Sequence, residues 1–217
     1  MILNDVITEV RRLVQDEESD TALRRYSDAF ILSMANQTLK RMAVVRPDLF
    51  SYIGDITCTQ DAVLQSAPSG SIRIMDVFRI KNGAAVRETN KASLDQMSPG
   101  WVTETAAACS CWMRHPKNPN KFFIYPPAPA GQILVGEYAQ SPEDYDGTTE
   151  VELIPDAFFP AVVDGTIWLI ESVDNEHVSS GRAKMFQEMF LQQLGVSMAA
   201  KSITDKSESA PMDKEGA

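Results

Sequence analysis

Apolar residues recur along this chain in two different rhythms. Near the N-terminus Leu3, Val6, Ile7, Val10, Leu13 and Val14 follow three- and four-residue steps, the stripe of an amphipathic helix from Leu3 to about Gln15. The acid-rich run Asp16–Asp20 interrupts it. A second stripe, Phe30, Ile31, Met34, Ala35, Thr38, Leu39, Met42 and Val45, starts after Ser27, whose hydroxyl suits an N-cap, and stops at Pro47. The two stripes predict an antiparallel helix pair.

From Tyr52 to about Tyr145 the rhythm shortens to runs separated by turn residues. Ile56–Gln60, Ala62–Gln65, Ile72–Lys81 and Cys109–Met113 predict strands. Asn82-Gly83 predicts a hairpin turn into a short strand near Ala85–Arg87. Lys91–Met97 predicts one or two helical turns ahead of Ser98-Pro99-Gly100. Lys121–Tyr125 and Gln132–Tyr138 flank Pro126-Pro127-Ala128-Pro129-Ala130-Gly131, and together predict one proline-braced hairpin, Lys121–Tyr138. Gly131 supplies the permissive backbone for the return.

The helical period resumes at Pro155-Asp156, with Asp156 as candidate N-cap and Pro160 inside the first turn. Phe159, Val162, Val163, Ile167, Ile170 and Val173 form its stripe, and a last helix is predicted from about His177 to about Ala200, carrying Phe186, Met189, Phe190, Leu194 and Met198. Ile203–Ala217 holds almost nothing apolar, so burial cannot offset its ordering entropy, and disorder in isolation is expected. The expected fold class is α+β: a helical bundle of N-terminal and C-terminal helix pairs around a central antiparallel β-rich region. Its predicted parts are residues 1–50, 51–150, 151–202 and a polar arm, 203–217.

Composition narrows the function. The chain has 217 residues, 44% hydrophobic and 23% charged, ordinary values for a globular domain with a sizeable core. No apolar run approaches the roughly 20 residues that cross a bilayer, and MILNDVITEVRRL lacks the order of a signal peptide, so synthesis in a cytosol-type compartment is expected. Thirty acids against 20 bases give a net charge of −10, which disfavours tight nucleic-acid binding by phosphate neutralisation and suits a surface past which DNA slides without sticking.

Candidate chemistry is sparse. The phosphate, dinucleotide, nucleophile-elbow and zincin motifs are absent from the sequence. His115 and His177 occupy turn contexts, where a solvated imidazole is the plain reading. Cys109 and Cys111 offer half of a metal site with no second pair, and at i, i+2 they read instead as small buried residues on one strand face. Three cysteines, an odd number, argue against a disulfide framework. Asp16–Asp20 and Glu143–Asp146 read as solvated charge runs in loops, and Arg114–Lys121 as a Pro/Asn turn entering the hairpin. No catalytic, cofactor-binding or metal-binding residue is expected, and the apolar surface of Phe158–Phe190 suits core and subunit contact.

Several stretches in fixed order resemble a known family. They are the N-terminal helices ending in Arg46-Pro47-Asp48, the run Ile72–Ile80, Leu94-Asp95-Gln96-Met97-Ser98-Pro99-Gly100-Trp101, and Phe122-Phe123-Ile124-Tyr125-Pro126-Pro127 before a terminal helix pair. This order is similar to that of the phage head-to-tail adaptor (connector) proteins of short-tailed bacteriophages, the group that includes tail tubular protein A-like gatekeepers. The resemblance implies a non-enzymatic virion protein, made in the host cytoplasm. It implies a homo-oligomeric, twelve-fold ring between the portal protein and a downstream tail or nozzle protein, with double-stranded DNA passing unbound. It also implies that the C-terminal arm docks on the portal, with Ile203, Thr204, Lys206, Met212 and Lys214 as partner-binding candidates. Two other readings compete: a cytosolic α+β binding or regulatory module, and an enzyme with a pocket around Trp101, Trp112 and His115.

Overall fold

The computed structural model describes residues 1–173 and 180–195. It is α+β, with five α-helices among the described residues and both antiparallel and mixed sheets. The chain divides into two compact units: a helical unit of Met1–Val45 with the chain from Glu143 onward, and a sheet unit of Arg46–Pro142.

In the helical unit, α1 (Leu3–Val14) and α2 (Asp28–Val45) follow the two N-terminal stripes, and the Ser27 hydroxyl accepts from the Phe30 amide at 3.2 Å as a cap. α4 (Phe159–Val173) packs against α1, α2 and α5 (Ser180–Gln193). Its residues Ala161–Ile167 are all buried, as expected of a helix surrounded by others. Close approach to α2 and α5 depends on Gly165: a methyl there would meet Thr38 Cγ2 at 2.5 Å and Phe190 Cδ2 at 2.8 Å. Asp156 is not the cap of α4. It opens a 3₁₀ turn, Asp156–Phe158, and its carboxylate meets the Met1 amine at 3.0 Å instead. Phe186, Phe190 and Leu194 of the last stripe are buried, Met189 is partly exposed, and Met198 and His177 lie outside the described residues.

The sheet unit holds two sheets. A three-stranded antiparallel sheet has the order β1 (Ser51–Thr57), β7 (Ile133–Gln140), β3 (Ser71–Ile80). A four-stranded mixed sheet has the order β2 (Leu64–Ser66), β6 (Lys121–Tyr125), β5 (Cys111–Arg114), β4 (Arg87–Glu88), with β4 and β5 parallel. Between the sheets lies the core: Ile56, Ile74, Val77 and Leu134 from the first meet Trp112, Phe122 and Ile124 from the second. The short helix α3 (Lys91–Met97) follows β4. The Asn82-Gly83 turn is present, with Asn82 at φ 58°, and the Ile80 amide donates to the Ala84 carbonyl.

The proline-braced hairpin does not form. Lys121–Tyr125 and Ile133–Gln140 are both strands, but they belong to different sheets. β6 has its two edges filled by β2 and β5, and β7 by β1 and β3. Three prolines in four residues make the connection too stiff and too long for a tight two-strand turn, so it carries the chain from one sheet to the other. Tyr125–Pro126 is cis, and Ala128 within the connection is fully buried in the core between the sheets.

Candidate functional site

Two of the stretches that carry the family resemblance, Leu94–Trp101 and Phe122–Pro127, are far apart in sequence and pack on each other in the sheet unit. Alternation along β6 sends Phe122 and Ile124 into the core and Phe123 and Tyr125 to the opposite face. Trp101 covers that opposite face, edge-on to Phe123 at 6.4 Å and to Tyr125 at 6.2 Å between ring centres. It is 2% exposed, yet Met97 beside it is 85% exposed and Val102 50%. The α3 turn is thus anchored by one aromatic side chain while presenting apolar side chains outward.

Polar contacts fix this anchor. Trp101 Nε1 donates to Asp95 Oδ1 at 2.7 Å, and Lys91 Nζ meets Asp95 Oδ2 at 2.7 Å. Lys91 and then the indole N–H hold the Asp95 carboxyl below its ordinary value. Ser98 Oγ donates to Glu104 Oε1 at 2.7 Å, and the Tyr125 hydroxyl donates to Glu104 Oε2. These donors lower Glu104, and the carboxylate raises the Tyr125 phenol. Asn90 caps α3 by accepting from the Ala92 amide at 2.8 Å.

Beside the anchor runs an open groove of about 790 Å³ lined by residues including Glu88, Asn90, Lys91, Asp95, Met113 and Arg114. Its charges are already paired: Arg114 Nε with Glu88 Oε1 at 2.7 Å, and Lys91 with Asp95. Arg114 also donates to the Met75 carbonyl at 2.6 Å and lies over the Trp112 ring at 4.9 Å. The basic turn entrance is therefore a tie between β5 and β3. His115 stacks on Phe123 at 5.4 Å, and its Nδ1 accepts from the Lys117 and Asn118 amides at 3.1 and 2.9 Å. That imidazole is a turn brace. The Trp112 indole N–H is buried without a partner among the described residues.

The other candidates separate. Cys109 is buried just before β5, whereas Cys111 within it is only half-buried, so the pair does not share one environment. Burial pushes both thiols up. Among the described residues no group of three or more metal-ligating side chains gathers. The acid-rich loops are not uniformly solvated. Asp16 is 6% exposed and accepts from Arg11 Nη1 at 2.8 Å and from the Arg25 and Tyr26 amides, because the buried Arg11 guanidinium needs a carboxylate. Asp146, by contrast, is open to solvent but caps the Thr148 and Thr149 amides at 2.8 Å each, and these donors pull its pKa down to about 2. Asp144 pairs with Lys40 at 2.7 Å. Ile203, Thr204, Lys206, Met212 and Lys214 lie outside the described residues.

Sequence reasoning missed Arg11 and Gln132 as organising residues. A charge on the apolar edge of a helical stripe was the available sign for Arg11. Gln132, at the edge of a predicted strand, offered none.

No helix among the described residues is long and apolar enough to cross a membrane. No curated protein matches the chain. A family model does: that of the SU10 adaptor protein, over residues 1–213.

Proposed function

Because the chain belongs to the SU10 adaptor protein family, a family of phage adaptors with a structural role, we propose that it joins head to tail as a ring between the portal and the tail. The match over residues 1–213 carries this reading, since it takes in both units. In the proposed arrangement the N-terminal and C-terminal helix pairs form one bundle, and twelve copies associate head-to-tail about the DNA axis. A rotation that closes demands two different complementary surfaces on each copy. The protein acts by interlocking rather than by catalysis, in the manner of the tail tubular protein A-like gatekeepers, and double-stranded DNA passes without being held.

The charge distribution supports a DNA-repelling role for one unit in particular. The helical unit carries 22 Asp and Glu against 11 Lys and Arg, and the sheet unit 8 against 9. An acidic helical surface repels phosphate, whereas a near-neutral sheet surface is free to meet protein. The exposed Met97 and Val102, held by Trp101, suit such a protein contact. The polar arm 203–217, with Ile203, Thr204, Lys206, Met212 and Lys214, would dock on the portal after synthesis in the host cytoplasm.

Light scattering and negative-stain imaging of the protein alone, and then mixed with the portal protein of the same phage, test the proposal. Rings formed alone or on the portal are the expected result. A monomer indifferent to the portal would end the ring reading. Deleting residues 203–217 is expected to leave the fold intact and abolish portal attachment; unchanged attachment would remove the arm from the scheme.

A further inference from the structure

We infer that Cys58 and Cys109 are a reversible thiol–disulfide site whose oxidation ties the two sheets of the sheet unit together. The observation behind it is Gln132, a buried residue at the end of the proline-rich connection. Its main-chain carbonyl accepts from the Cys58 amide at 3.0 Å, which extends the β1–β7 ladder by one step. Its side chain turns to the other sheet: Oε1 accepts from the Cys109 amide at 3.2 Å and Nε2 donates to Cys109 Sγ at 2.9 Å. One glutamine therefore holds the residue that follows β1 and a residue that leads into β5. Cys109 is a member of the core cluster between the sheets, and Cys58 packs against that cluster. Cys111 is directed elsewhere, its Sγ donating to the Tyr125 carbonyl at 3.7 Å.

The reaction needs an oxidant, and a low-molecular-weight disulfide is the class proposed. The half-buried Cys58, as thiolate, attacks one sulfur of that disulfide and expels a small thiol. Cys109 then loses its proton and displaces the second small thiol, so two protein thiols are oxidised and one disulfide is reduced to two thiols. For bonding, the Cys109 sulfur must leave the Gln132 amide and the two sulfurs approach to about 2.0 Å, with Cβ atoms about 3.5–4.5 Å apart. Burial raises Cys58 to about 12, so the exchange is slow near neutrality and quickens in alkaline solution. The bond would close a long loop that begins in one sheet and ends at the other, and so restrict the unfolded chain. The inference concerns the folded chain alone, and failure to form rings leaves it standing.

The test uses the full-length Cys111→Ser protein, folded, with oxidised glutathione at mildly alkaline pH, followed by peptide mass spectrometry without reduction. The expected product is a Cys58–Cys109 linked peptide, lighter by two hydrogens and free of glutathione. Its Tm should rise by several degrees and return on adding dithiothreitol, and Cys58→Ser with Cys111→Ser should show neither change. Thiols that stay reduced in the folded protein while the same sample oxidises in urea would overturn the inference. So would glutathione retained on either cysteine, or a disulfide found only between molecules.

Discussion

The helical and sheet units bury different things. Among the described residues every buried charged side chain belongs to the helical unit: Arg11, Asp16, Asp164 and Glu171. The sheet unit buries only the neutral polar side chains Gln65, Ser71 and Gln132, and its core of Trp112, Phe122, Ile124 and Leu134 is apolar. The same division appears in net charge, with the excess of acids confined to the helical unit. Two sheets face to face can interdigitate apolar side chains from alternating positions and need no ionic ties. Helices joined by longer loops leave main-chain groups at their ends to satisfy, and buried side chains such as Arg11, which reaches the Asp16 and Tyr26 carbonyls, do so. Whole-chain charge is therefore a poor guide to either surface.

The sharpest way to break this contrast is to truncate the apolar core. Phe122→Ala is expected to cost about 3–5 kcal/mol, because a fully buried ring leaves a cavity between two sheets that cannot collapse. Urea unfolding followed by circular dichroism measures it, and a loss below about 1 kcal/mol would mean that the sheets do not depend on this packing. In the helical unit Asp16→Ala removes the buried one of the two carboxylates that pair the buried Arg11 guanidinium. Its expected cost is about 3 kcal/mol, at the low end for removing one partner of a buried pair, since Arg11 keeps Asp28 at 2.6 Å. Recovery of stability with Arg11→Met in the same protein would assign the penalty to the buried guanidinium, and a loss that remains would assign it to the Arg25 and Tyr26 amides that Asp16 accepts.

Gly165→Ala comes next, at about 1–3 kcal/mol, as α4 must move off Thr38 and Phe190. Thermal unfolding of the variant checks it, and an unchanged Tm would mean that the helices part at no cost. The smallest effect concerns Asp146. Its carboxyl titrates at about 2 in the folded chain against an ordinary 3.8. The stability it contributes is therefore present above the ordinary value and lost as pH falls through about 4 to 2. Asp146→Asn should flatten the stability–pH curve within that window, and at pH 7 it should lower the curve without changing its slope, as read by urea unfolding at several pH values. A curve that keeps its full slope would assign the acid sensitivity to other carboxyls.

Legibility followed the range of the interactions. α1, α2 and α4 were visible because a 3.6-residue period is written within a dozen residues, and Ser27 and Pro47 marked the ends of α2 by local chemistry. Asn82-Gly83 was visible for the same reason. Strands Lys121–Tyr125 and Ile133–Gln140 were visible as strands, but not which sheet each joins, because an edge can be filled by any strand of matching pattern. The packing of Trp101 on Phe123 and Tyr125 was equally hidden, although both stretches stood out as motifs. The bridging role of Gln132 depends on two neighbours distant in sequence, Cys58 and Cys109.

By itself, then, the order of residues determined the α+β class, helices α1, α2 and α4, the Ser27 cap of α2, and the segments able to form strands. These rest on periodicity, cap chemistry and proline geometry, which act over a few residues. The tertiary structure alone decided that Pro126–Gly131 joins two sheets rather than two arms of a hairpin, that Asp16 is buried while Asp146 is not, and that one glutamine reaches two cysteines. Each of these outcomes depends on which distant surfaces exclude water together, and no local pattern records that choice.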